Sequence, residues 1–161
     1  MGTMPSKYRA NIQTIPNKHQ RFRTCGDSYH ENDNLQIRVS SMRNKDYEFL
    51  TAIKAQVQQY LCERAGIKES VIDSWRLTHE TEDEPGELLA CPYREQHLFA
   101  EAIEKVLADK LGVDWVEYGK KLEAVMDEKP DTSYKPFMGN DKPSKGALLL
   151  QTKRILQEQE G

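Results

Sequence analysis

A chain of 161 residues is about one domain long, and 37% hydrophobic against 30% charged residues leaves a real core plus polar tails. With a net charge of −3 and a mean hydropathy of −0.79 it is strongly hydrophilic, and no apolar run approaches the roughly 18 residues of a helical membrane span. The start has no apolar stretch of the secretory kind, and Cys25, Cys62 and Cys91 lack metal spacing, as expected of idle thiols in a reducing cytoplasm.

Tyr8 to Ile15 alternates as a strand and Pro16-Asn17 ends it. Ser28 to Glu31, the polar turn Asn32-Asp33-Asn34 and Leu35 to Ser40 read as a β-hairpin. Leu35, Ile37 and Val39 face inward there, and Gln36, Arg38 and Ser40 outward. Lys7, Arg9, Lys18, Arg21, Arg23, Arg38, Arg43 and Lys45 make this first part basic, and everything after it is acidic. A solvated basic face is the expectation. Nucleic acid is the lesser alternative, because aromatic residues are too sparse for base stacking.

Asp46 to Arg64 is the longest uninterrupted helical pattern, with Phe49, Leu50, Ile53, Val57, Tyr60 and Leu61 at core spacing, Asp46 as N-cap and Gly66 past the end. Lys68 to Trp75 predicts a short helix, and Leu77 to Pro92 an acidic loop too long for an idle connector. That loop carries His79, Glu80, Glu82, Asp83 and Glu84, without EF-hand spacing. Arg94 to Leu111 predicts a further helix with Leu98, Phe99, Ala102, Ile103, Val106, Leu107 and Leu111 as its apolar set, and Asp114 caps another running to about Asp127. The expected architecture is α+β: a small antiparallel sheet packed on a helical bundle over residues 1–127. A Pro-, Gly- and Lys-rich linker over 128–145 and an amphipathic helix over 146–161, with Leu148, Leu149, Ile155 and Leu156, complete the expected organisation.

Several short pieces stand in a set order along the chain: Arg21-Phe22-Arg23-Thr24-Cys25-Gly26-Asp27, Leu35-Gln36-Ile37-Arg38-Val39-Ser40, Tyr47-Glu48-Phe49-Leu50, Glu84-Pro85-Gly86, Pro92-Tyr93-Arg94-Glu95-Gln96-His97 and Leu111-Gly112-Val113-Asp114-Trp115. Over about two-thirds of its length, the chain thereby resembles a group of small uncharacterised phage and prophage proteins. In that group the central helix reads His-Glu-x-x-Glu at positions matching 54 to 58, which looks like a zincin-type metal helix. Ligands one turn apart share a face, and the intervening Glu reaches a metal-bound water as general base. The resemblance implies a further ligand from Glu95 or His97, with Asp73 or the acidic loop as another source.

This chain departs from that pattern where the chemistry sits. Lys54 replaces the His, Ala55 the base and Gln58 the carboxylate. A protonated Lys cannot ligate zinc, Ala accepts no proton, and a neutral amide is a poor ligand for a dication. No cofactor is therefore expected. If Glu95 and Asp73 face the former site, the Lys54 ammonium would stand in for the missing cation. The expected function is a catalytically inactive phage-type scaffold. It would bind a partner protein in the host cytoplasm, of host or phage origin, with a host-defence component as one such partner. The alternative is a metal-dependent, peptidase-like hydrolase using zinc at a non-standard site.

Overall fold

A computed structural model describes residues 7–82, 84–129 and 131–135 of the chain. The expected C-terminal helix and most of the linker lie outside the described residues. In chain order the elements are strands β1 (Ala10–Ile15), β2 (Gly26–Glu31) and β3 (Asn34–Ser40), then helices α1 (Lys45–Arg64), α2 (Glu69–Thr78), α3 (Arg94–Lys110) and α4 (Trp115–Met126). The class is α+β.

The hairpin forms where expected. Asn32 and Asp33 both take positive φ (50° and 66°), the two-residue turn whose twist matches the flanking strands. The sheet is mixed rather than antiparallel: its order is β1-β3-β2, and β1 runs parallel to β3 with Ala10 opposite Leu35. A parallel neighbour needs a connection that returns to the starting end: residues 16–25 pass the end of β3, and β2 runs back. Asn17 pins this segment by donating from Nδ2 to Thr24 O (2.9 Å) and Ser40 Oγ (2.7 Å), and Gln20 donates to Arg38 O (3.1 Å). The outward residues Gln36 and Ser40 are buried as a result, so β3 is covered on both faces.

α1 packs on the sheet on one side and on α3 on the other. One core cluster joins Cys25, Leu35, Ile37 and Val39 to Ala52 and Val125, and a second joins Leu50 to Ala108 and Tyr118. A helix pressed from two sides has no single apolar stripe. Phe49 (46%) and Tyr60 (47%) are therefore almost half exposed, whereas Thr51, Gln59 and Cys62 are buried. The helix begins earlier than expected. Asn44, not Asp46, is the N-cap, its side chain accepting from Tyr47 N at 3.1 Å.

The buried line of α3 likewise differs from its apolar set: it is His97, Ala100, Glu104 and Ala108, and Phe99 and Val106 face outward. Small side chains let α3 approach α1 closely, and a histidine and a glutamate enter the packed seam. Asp114 caps α4 as expected, accepting from Glu117 N at 3.0 Å. Among the described residues no helix is long and apolar enough to cross a membrane.

Candidate functional site

Below the start of β2, the seam between α1 and α3 opens into a cleft of about 150 Å³ that the acidic loop covers. Lys54, Ala55 and Gln58 line it from α1, His97 and Glu104 from α3, and Glu84, Pro85 and Gly86 from the loop. The degenerate positions of the central helix and His97 thus share one concave space.

The loop is tied down at both ends of its 3-10 turn, Pro85–Glu87. Trp75 Nε1 donates to Pro85 O (2.9 Å), and Arg94 Nε donates to Glu87 O (2.9 Å). Between these anchors Gly86 lies flat on the imidazole of His97. A Cβ there would come within 2.5 Å of the ring Cγ and Nδ1, so only glycine permits this approach. The loop therefore carries Glu84 and Glu87 to the ring, where one ligating atom from each and one from His97 lie within 4.8 Å of one another.

His97 is 9% exposed, and its Nδ1 bonds Gln58 Oε1 at 2.9 Å. An amide oxygen only accepts, so Nδ1 carries the proton and Nε2 keeps a bare lone pair. Nε2 is buried without a hydrogen-bond partner. Burial, reinforced by the positive charges of Lys54 and Arg76, lowers the pKa of this histidine to about 3, so the ring is neutral at physiological pH.

Two carboxyl groups beside it are shifted the other way. Glu101 is raised to about 7, first by burial and then by its hydrogen bond with Glu87, against the pull of Lys54. Glu104, 2% exposed, is also raised by burial, while Lys54 and the Tyr118 hydroxyl oppose the shift. Tyr118 Oη donates to Glu104 Oε2 (2.7 Å) and pairs with Thr51 Oγ1 (2.7 Å), a polar chain through α4, α3 and α1. The Lys54 ammonium stands 3.9 Å from Glu104 Oε1, an ion pair through space rather than a hydrogen bond.

The partners expected for Lys54 are placed elsewhere. Asp73 is 2% exposed and receives Arg21 at 3.3 Å, in a buried network with Asp27 and Arg76, because an interior carboxylate needs a guanidinium more than it needs the cleft. Glu95 sits in the first turn of α3, exposed, beside a separate shallow depression with Pro92 and Phe99. Two residues up that helix, His97 turns inward. The sequence reading missed Glu87, Glu101 and Glu104. For Glu104 the signal is its place on the line His97, Ala100, Ala108, where small residues mark the buried side.

The other histidines have ordinary roles. His79 stacks on Trp75 and bonds Trp75 O, His30 pairs with Glu69 (2.8 Å) and Glu63 (3.2 Å), and His19 pairs with Asp131 and stacks on Tyr134. Cys25, Cys62 and Cys91 are buried and free, and burial pushes the first two up to about 12 and about 11, which makes them poor nucleophiles. Compared with protein families, with curated proteins and with solved structures, this chain finds no match.

Proposed function

We propose that this chain works by binding a partner protein, on a scaffold whose hydrolytic chemistry is absent. One observation carries the reading: Lys54, Ala55 and Gln58 all line the cleft, so the positions from which a zincin-type helix would act hold a cation, a methyl group and an amide turned onto His97. Among the described residues of α1 that line the cleft, none can take a proton from a metal-bound water. The carboxylate that α3 contributes to the opposite wall is engaged: Glu104 accepts from Tyr118. The resemblance to phage proteins makes a protein of the bacterial host the partner to seek, with host-defence components among them.

The test has two arms. Purified chain with added zinc is assayed against unfolded protein and peptide substrates, and turnover that a chelator abolishes overturns the proposal. In parallel, tagged full chain is exposed to host lysate beside Lys54→Glu and Arg23→Glu variants, which recharge the rim of the cleft. Stoichiometric capture of one protein by the parent, weakened in at least one variant that remains folded, supports it.

The competing reading, a metal-dependent hydrolase, is favoured by one observation only, the Glu84, Glu87 and His97 group. It lacks a general base on the α1 wall, where Ala55 stands.

A further inference from the structure

We infer that the cleft binds one zinc ion through His97 Nε2 and the carboxylates of Glu84 and Glu87. Three carboxylate and imidazole groups close together do not make a site, since acidic loops are common. Here three further features point to a ligand.

The first is the state of His97. Nδ1 is committed to Gln58, so Nε2 is the nitrogen free to ligate, and it is buried with nothing to bond. Leaving a buried acceptor unsatisfied costs the full desolvation of that group. A metal ion on Nε2 removes that deficit.

The second is the support behind the ligands. Metal-bound histidines donate their other N–H to a fixed acceptor, and metal-bound carboxylates are themselves hydrogen-bonded. Gln58 does this for His97. It comes from α1, so it holds the imidazole on a rigid element.

The third is Gly86. The loop approaches the ring so closely that no side chain fits between, and the residues two before and one after this glycine are the two carboxylates. The approach is needed to bring both acids to one imidazole.

The donor set chooses the ion. One imidazole with two carboxylates suits zinc or a neighbouring first-row ion, whereas magnesium and calcium prefer oxygen alone. Ligand atoms up to 4.8 Å apart must close to roughly 3.3–3.5 Å around a tetrahedral zinc with bonds near 2.0–2.1 Å. Glu84 is exposed and Glu87 half-buried on a loop, so rotation of their side chains supplies this movement. Lys54 lines the same cleft, and its positive charge opposes the ion electrostatically. The site is accordingly a moderate one that orders the loop. It supplies no catalytic base, and it stands or falls independently of the partner-binding reading.

The experiment is a zinc titration of the purified full chain by calorimetry, with metal content measured after dialysis and Trp75 fluorescence as a reporter of the loop. One zinc per chain is expected. Glu87→Gln and Glu84→Gln should each weaken it at least tenfold, and Gln58→Leu by roughly 10–100-fold, the usual effect of losing a support to a ligand. Lys54→Gln should tighten binding, and His30→Gln should leave it unchanged. Circular dichroism checks that each variant is folded. Absence of saturable zinc binding overturns the inference, and so does binding that survives both Glu84→Gln and Glu87→Gln. Neither result bears on partner capture, and proteolytic turnover would sink the partner reading while leaving the zinc site in place.

Discussion

Replacing Asp27 by Asn tests the network on which the cleft rests. Asp27 is fully buried, and its carboxylate receives Arg21 Nε (2.6 Å) and a second Arg21 nitrogen (3.1 Å), as well as Arg76 (2.7 Å). Asn preserves the shape but removes the charge and turns an N–H toward a guanidinium. Breaking one partner out of a buried ion group costs about 3–5 kcal/mol, because the remaining charge stays desolvated. That is a large part of the roughly 5–15 kcal/mol available to a domain. At a urea slope of about 1–3 kcal/mol per molar, the midpoint should fall by about 2 M. Urea unfolding followed by tryptophan fluorescence measures it. Burial alone would raise the Asp27 pKa, but Arg21 and Arg76 outweigh it and hold it below the usual carboxylate range. The stability it contributes is therefore present above the unfolded carboxylate value, near pH 4, and is lost as pH falls through the folded value. The gap between parent and variant should be full at pH 7 and close in stronger acid. A loss under about 1 kcal/mol at pH 7 would show that the charge contributes little, contrary to the argument from buried ion pairs.

Three other predictions concern the cleft. Because the folded His97 has a pKa near 3 against about 6.5 unfolded, its contribution is intact above about pH 6.5 and declines as pH drops toward 3. The slope for one proton is at most about 1.4 kcal/mol per pH unit, and denaturation across that range should be flatter for His97→Gln; an unchanged slope refutes the assignment. Gly86→Ala places a Cβ 2.5 Å from the imidazole and should cost about 1–3 kcal/mol in thermal unfolding, as overpacking does. Stability equal to the parent's would mean that the loop does not lie on His97. Tyr118→Phe takes a donor from buried Glu104 and a partner from Thr51, so a loss of about 1–3 kcal/mol is expected, and a neutral result would show that this polar chain is not closed in solution.

How far the sequence was legible follows from how many sides of each element are packed. β2, β3 and α4 carry their own signals: a turn with two positive-φ residues, strict alternation, and an aspartate that caps. Parallel pairing of β1 depends on a connection past the end of β3 that Asn17 and Gln20 hold, and no local pattern in β1 announces those long-range bonds. α1 and α3 misled for one reason. Apolar periodicity finds the buried side only when a helix has one such side and the pocket beneath it is greasy. Here α1 meets two layers, and the seam it shares with α3 contains Thr51, Lys54, Gln58, His97 and Glu104, while Phe99 and Val106 look outward. The resemblance pointed to the α1 half of that seam, and positions 54 and 58 share a face because they lie one turn apart. It could not find the α3 half, because the choice between Glu95 and His97 depends on helix rotation, which the small residues Ala100 and Ala108 settle by letting their side pack. The polar seam costs folding energy that an apolar one would not. A buried imidazole with one nitrogen bare is therefore better explained by something that binds it than by packing alone.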